Sequence, residues 1–283
     1  MMQAKKIVTT SWFQVMNADI RQSLRSKWFW TYSILFGGFI AAMFSTGITE
    51  SQIIGFVGLS RLMVTFMQVS MVILPIYVLI TTVRSVVGDR ESNVMEFMLS
   101  LPLSFSGYFW GKFIAKFLTT YIPVFIALLG AAIYGSFNRL DVPWDLFSLY
   151  SALLASMIFC FLGISMFISV VSSSQDLAVS SAFILWLLLV AFLDLILMGM
   201  MLKLRLDAGM VIGFGMLNPL QVFRTAVLVL FDPDLTVMGA ASYYVLDTVK
   251  REVFIAFAIV YPIVLGLFFG LAGNRYFRKH DIL

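Results

Sequence analysis

The sequence predicts an all-α integral membrane protein: six transmembrane helices, an amino-terminal amphipathic interfacial helix and a short cytoplasmic helix. Three observations lead there. Of 283 residues, 61% are hydrophobic and only 12% charged, where a soluble domain carries roughly 45–50% and about 25%. Mean hydropathy is +0.97, so too little polar surface exists to clothe a soluble fold. The apolar residues also fall in long runs, and a bilayer core of about 30 Å needs roughly 20 apolar helical residues to cross. This composition excludes a cytosolic enzyme, a disordered chain and a disulfide scaffold; the single Cys160 has no partner for an intramolecular bridge.

The runs are Trp28–Ile48, Leu62–Val83, Phe117–Phe137, Leu146–Val171, Ala178–Leu202 and Val253–Gly273, and only the fifth contains a formal charge, Asp194. Backbone groups in lipid need internal partners, so each run is expected to be helical. Twelve Lys and Arg fall on the termini and even-numbered loops against seven on the odd ones. Without the fifth loop, about 50 residues long, the ratio is twelve to two; long loops escape the positive-inside bias. Both termini are therefore expected in the cytoplasm, in a multi-pass protein of the plasma (inner) membrane. The net charge of +4 sets orientation and points to no nucleic acid. The start has no apolar h-region, so no cleaved signal peptide is expected.

Before the first run, Ile7, Trp12, Val15, Met16, Ile20 and Leu24 recur near helical spacing, with Lys5, Asp19, Arg21 and Arg25 between them. Residues 1–27 read as an amphipathic helix in the interface, or as a basic flank that fixes topology. In the loop 84–112, Asp89 and Glu91 are placed at the start of a short helix, where the dipole favours acids. The apolar stretch Val94 to Leu101 follows and Pro102 ends it. Such a helix needs a cover, either the bilayer surface or another protein. The external segment 203–252 is too apolar for a free loop, so short helices bounded by Asn218-Pro219 and Asp232-Pro233 are expected to cap the outer mouth.

The loop reads R-E-x-x-x-x-E-x-x-L-S-x-P-L-S and then G-K-F, formed by Arg90, Glu91, Glu96, Leu99, Ser100, Pro102, Leu103, Ser104, Gly111, Lys112 and Phe113. It resembles the cytoplasmic loop of the type-two ABC exporter permeases, and the likeness extends over nearly the whole chain. Their usual Gly is Asn93 here, a residue that tolerates left-handed backbone; Val94 replaces Thr, and Phe105 replaces a basic residue. The resemblance implies one permease domain over 1–283, a homodimer, and two copies of a separate ABC ATPase. The ATPase would hold ATP and magnesium and dock on a coupling helix through Asp89, Arg90, Glu91, Glu96, Leu99 and Pro102. Within the family, Asp194 late in the fifth run and the pattern N-P-x-x-x-F-R (Asn218, Pro219, Phe223, Arg224) resemble the membrane subunits of nitrous-oxide reductase maturation transporters. That implies service to a copper enzyme and a periplasmic partner on the outer segment. A plain exporter of a drug, lipid or peptide stays open in the same fold, as does a non-transporting anchor for an extracellular enzyme.

The residues themselves support no catalysis. No G-x-x-x-x-G-K-S/T phosphate loop exists, since Gly107 and Gly111 before Lys112 have the wrong spacing. With one His (His280) and one Cys, no zinc cluster can form. No cofactor or metal is expected on this chain, and ATP hydrolysis is expected elsewhere. Asp194 either lines a cavity or the dimer interface, or is satisfied near the outer end by a neighbour such as Arg205 or Arg224. Arg224, with Asn218 and Pro219, either shapes a docking surface for an outer partner or pairs with Asp194, Asp207 or Asp232. The methionine groups Met63, Met67, Met71 and Met198, Met200, Met201 carry soft thioethers of the kind that suits Cu(I), but in so apolar a chain they read first as adaptable apolar filler. Gly266 and Gly270 form G-x-x-x-G, which permits close helix contact without naming the partner helix.

Overall fold

The computed structural model describes residues 2–45, 59–100, 103–137, 144–192, 196, 199, 208–231 and 249–280, and ten α-helices are defined among them. They are α1 (Met2–Arg25), α2 (Lys27–Ser45), α3 (Leu59–Glu91), α4 (Val94–Ser100), α5 (Phe105–Phe137), α6 (Trp144–Val171), α7 (Gln175–Leu187), α8 (Ala208–Gly215), α9 (Pro219–Phe231) and α10 (Arg251–His280). The last turn of α7 widens into a π-helical segment, Leu188–Phe192. There is no strand among the described residues.

Four of the described helices are long and apolar enough to cross a membrane: Gln68–Glu91, Phe105–Phe137, Trp144–Val171 and Arg251–Lys279. Two boundaries differ from the sequence expectation. α5 begins twelve residues before the predicted Phe117, because Lys112 and Lys116 do not end the apolar helix but are neutralised inside it. α3 likewise runs on past Val83 to Glu91. Asp89 and Glu91 therefore lie at the end of α3, not at the start of the short helix, which begins at Val94. Dipole complementarity is worth only about 0.3–1 kcal/mol; direct partners for both acids outweigh it.

α6 is the axial helix, buried along most of its length by α3, α5, α9 and α10. Its contact with α10 is backbone to backbone: a Cβ on Gly163 would lie 2.1 Å from the Gly266 carbonyl oxygen. The G-x-x-x-G of α10 is thus spent within the protomer, Gly266 on α6 and Gly270 against Trp110 and Phe113 of α5. Hydroxyls join α6 to α3. Ser165 donates to the Leu79 carbonyl at 3.1 Å, and Ser169 Oγ accepts from the amides of Val86 and Val87 at 3.0 and 3.2 Å. Lipid gives apolar helices no hydrophobic reason to associate, so close packing and such bonds hold the bundle together.

One end of the bundle gathers the carboxyl ends of α1, α3, α6 and α10 with the amino ends of α5 and α7. Phe277 near the end of α10 packs on Phe105 and Tyr108, which fixes this grouping. At the opposite end, α8 and α9 are the short helices expected around Asn218-Pro219. α9 is set into the bundle, with Leu220, Phe223, Val227 and Leu230 all buried. The Asp232-Pro233 boundary lies outside the described residues.

Candidate functional site

The site is built where α3 ends, α4 begins and α1 crosses α5. A Cβ on Gly111 would lie 2.7 Å from the Trp12 carbonyl oxygen and 3.0 Å from Val15 Cβ. Only glycine lets the α1 backbone lie this close to α5. The next residue, Lys112, is buried and points into the seam. Its Nζ lies 2.5 Å from Asp89 Oδ2 at the end of α3 and 3.8 Å from Asp19 Oδ1 on α1. It also donates to the Ser85 carbonyl at 2.8 Å. Lys116, one turn on, reaches Asp19 Oδ2 at 3.1 Å and Ser23 Oγ at 3.1 Å. The Tyr108 hydroxyl donates to Asp89 Oδ2 at 2.5 Å. Two cations and two carboxylates thus make an electrically balanced knot joining α1, α3 and α5, which is what burial of charge requires.

A second set of bonds ties the end of α3 to the turn between α6 and α7. The Arg90 guanidinium donates to the carbonyls of Ser172 and Val170, both at 3.2 Å. Glu91 accepts from the Gln175 amide at 2.9 Å and from its side-chain Nε2 at 2.7 Å, across the amino terminus of α7. Ser174 caps the same helix by accepting from Leu177 N. Of the six predicted coupling residues, three therefore serve as anchors: Asp89, Arg90 and Glu91.

α4 rests on these anchors. The chain reverses between α3 and α4 at Asn93, whose φ of +55° is the one positive value outside glycine among the described residues. This is the position where the family pattern has Gly, and Asn meets the same backbone demand. Met95 is buried against the bundle, while Val94, Glu96 and Phe97 are exposed, Phe97 by 67%. Leu99 lies in α4 without a described side chain, and Pro102 lies outside the described residues. An exposed phenyl ring beside an exposed carboxylate, on a helix anchored from behind, suits contact with another macromolecule more than chemistry. No group of three or more metal-ligating side chains converges among the described residues.

The remaining predicted residues separate. Asp194 lies outside the described residues, as do Met198, Met200 and Met201. Asn218 is buried and structural: its Oδ1 accepts from Leu220 N at 3.0 Å, capping α9, and its Nδ2 donates to the Leu189 carbonyl at 2.8 Å in the π-helical segment. Pro219 opens α9 and is buried, whereas Arg224 is exposed on an otherwise buried helix. Sequence reasoning missed Asp19, Tyr108, Lys112 and Lys116 as parts of the site. The available signal was two lysines at helical spacing in a run flanked by apolar residues.

A bundle that is all helical among the described residues, with four helices long and apolar enough to cross a membrane, defines a multi-pass membrane protein. Residues 13–282 match the family described as ABC-2 family transporter protein, and the chain belongs to that family. Membership makes it the permease part of an ABC transporter, a class that partners with an ABC ATPase, typically as a dimer. A comparison with curated proteins returned no match.

Proposed function

We propose that this chain crosses the inner membrane six times with both termini in the cytoplasm, and that α4 is the coupling helix on which each of two ATPase subunits docks. A homodimer of the chain forms the membrane pathway, and ATP and magnesium are held by the ATPase alone. The observation that supports this reading most is α4 itself: Val94, Glu96 and Phe97 face outward, while the segment behind them is tied into α1, α5 and the α6–α7 turn. Force applied at α4 then reaches several helices at once. The test is copurification of the ATPase with a Phe97→Asp variant. Loss of the ATPase with unchanged dimerisation is expected, and wild-type capture would overturn the assignment.

The finer reading is a permease of the NosY type, serving maturation of the copper centres of nitrous-oxide reductase with a periplasmic partner on the outer segment. It rests on Asn218, Pro219, Phe223 and Arg224 together with Asp194. Arg224 supports it further, since it is the exposed cation of a buried helix at the outer end. Coexpression with a nitrous-oxide reductase in a host lacking its own maturation permease tests this: copper-loaded reductase is expected with the wild-type chain and less with Arg224→Ala. Copper loading indifferent to the chain's presence would return the protein to the plain exporters.

A further inference from the structure

Beside the knot, two neighbouring cavities share a wall. The first is a cleft of about 230 Å³ where α1 meets α2, closed behind by α3 and α5 and carrying two basic side chains in its lining. Arg84 and Lys116 supply its charge, Gln22 and Ser26 its uncharged hydrogen-bonding groups, and no acidic side chain lines it. Lys116 is shared with Asp19, but Arg84 is exposed and has no ion-pair partner among the described residues. The second is an apolar groove of about 190 Å³ between α2 and α3, lined by Leu35, Ile73, Ile76 and the Tyr32–Tyr77 stack. Trp28, Tyr77, Ile80 and Thr81 border both.

The geometry matches one kind of molecule. From Arg84 to Ile73 the two cavities follow eleven residues of α3, about 16 Å at 1.5 Å per residue. That is roughly half of a bilayer's hydrocarbon core, the depth of one leaflet. Trp28, which borders both cavities, is 63% exposed, and such rings sit at headgroup level. The groove begins where the charge stops. A free phosphate would use only the cleft and a neutral apolar molecule only the groove.

We propose that the cleft and groove together bind one anionic glycerophospholipid from the leaflet at the knot end, its phosphate beside Arg84 and Lys116 and an acyl chain between α2 and α3. The site lies on the outside of the protomer, apart from α4 and from the outer segment, and does not depend on which cargo the transporter serves.

The test is lipid retention by the purified full-length chain, delipidated and then titrated with dioleoyl phosphatidylglycerol, measured by native mass spectrometry. Dioleoyl phosphatidylcholine and glycerol 3-phosphate serve as comparison probes. Phosphatidylglycerol is expected to bind in preference to phosphatidylcholine. Arg84→Ala should weaken it about fivefold, the size expected for one basic residue at an anionic surface. Ile76→Trp, which fills the groove, should abolish retention, while Arg278→Ala, at the same end but away from the cleft, should leave it unchanged. Arg84 is exposed, so its variant stays informative even where the tryptophan variant misfolds. Equal retention of both lipids, or no effect of Arg84→Ala, overturns the proposal. Displacement of the lipid by glycerol 3-phosphate alone would make this a small-anion site and overturn it equally.

Discussion

Replacing Lys112 with Met removes a charge while keeping most of the side-chain volume, which isolates the electrostatics of the knot. The substitution deletes the 2.5 Å contact with Asp89, the 3.8 Å contact with Asp19 and the hydrogen bond to Ser85. Removing one partner of a buried pair costs about 3–5 kcal/mol, because the other charge stays buried and uncompensated. Here Asp89 is 21% exposed and retains Tyr108, and Asp19 retains Lys116. The expected loss is therefore near the bottom of that range, about 3 kcal/mol. Asp89→Asn alone should also destabilise, since the only carboxylate Lys112 then keeps is Asp19, at 3.8 Å, beside its hydrogen bond to Ser85. Combining the two removes both orphaned charges, so the double variant should be more stable than the sum of the singles by at least about 1 kcal/mol. Reversible unfolding in mixed detergent micelles, followed by tryptophan fluorescence, measures all three. Single variants within about 0.5 kcal/mol of wild type, or strictly additive losses, would refute the claim that these groups act as one unit.

The other expectations concern neighbouring parts of the same argument. Glu96→Lys should leave unfolding within about 0.5 kcal/mol of wild type and reduce ATPase copurification, whereas Glu91→Ala should lose about 1–2 kcal/mol first, because Glu91 holds Gln175 through two hydrogen bonds; equal stability of the two variants in the unfolding assay would contradict this division. Gly163→Ala should fall at or beyond the top of the roughly 1–3 kcal/mol seen for overpacking, because its Cβ would lie 2.1 Å from a carbonyl oxygen of α10, while Gly130→Ala, with nothing within 4 Å, serves as the tolerated control in the same assay. Asn93→Gly should be neutral and Asn93→Val should cost about 1–2 kcal/mol, measured as the difference between the two variants.

Hydropathy located the helices well because it reports on the solvent, and the solvent is nearly the same for every one of them. It misplaced the start of α5 for the same reason. A rule that stops a span at a charge assumes the charge meets lipid, whereas Lys112 meets Asp89 and Asp19 from helices distant in sequence. Charge balance across three segments is a tertiary property that no local window contains. Asn93 is the opposite case: its backbone requirement is local, so a Gly-to-Asn exchange could be read as left-handed geometry, and φ is +55°. Asn218 shows a third situation. The sequence marked it correctly as a helix boundary, but its second bond, to a π-helical carbonyl 29 residues away, gives it a structural duty that spacing could not reveal. Asn218 therefore fixes the position of α9, and Arg224 is the exposed cation on that helix.

The knot also bears on how a transporter of this shape transmits motion. Stability alone does not account for it, because buried ion pairs are often replaceable by apolar residues of similar volume at no cost. Apolar contacts between helices in lipid are, however, poor at fixing register, since sliding one greasy surface on another exchanges like for like. A lysine held by two carboxylates and a carbonyl has a far narrower set of acceptable positions. Placing that constraint behind α4, with Arg90 and Glu91 extending it to the α6–α7 turn, makes α1, α3 and α5 follow the short helix as one body. With the ATPase docked on α4 as proposed above, this constraint would keep the receiving end in fixed geometry while the rest of the bundle rearranges. On this argument, substitutions in the knot should impair coupling at temperatures where the permease remains folded, and substitutions of exposed apolar residues on α5 such as Ile126, 61% exposed, should not.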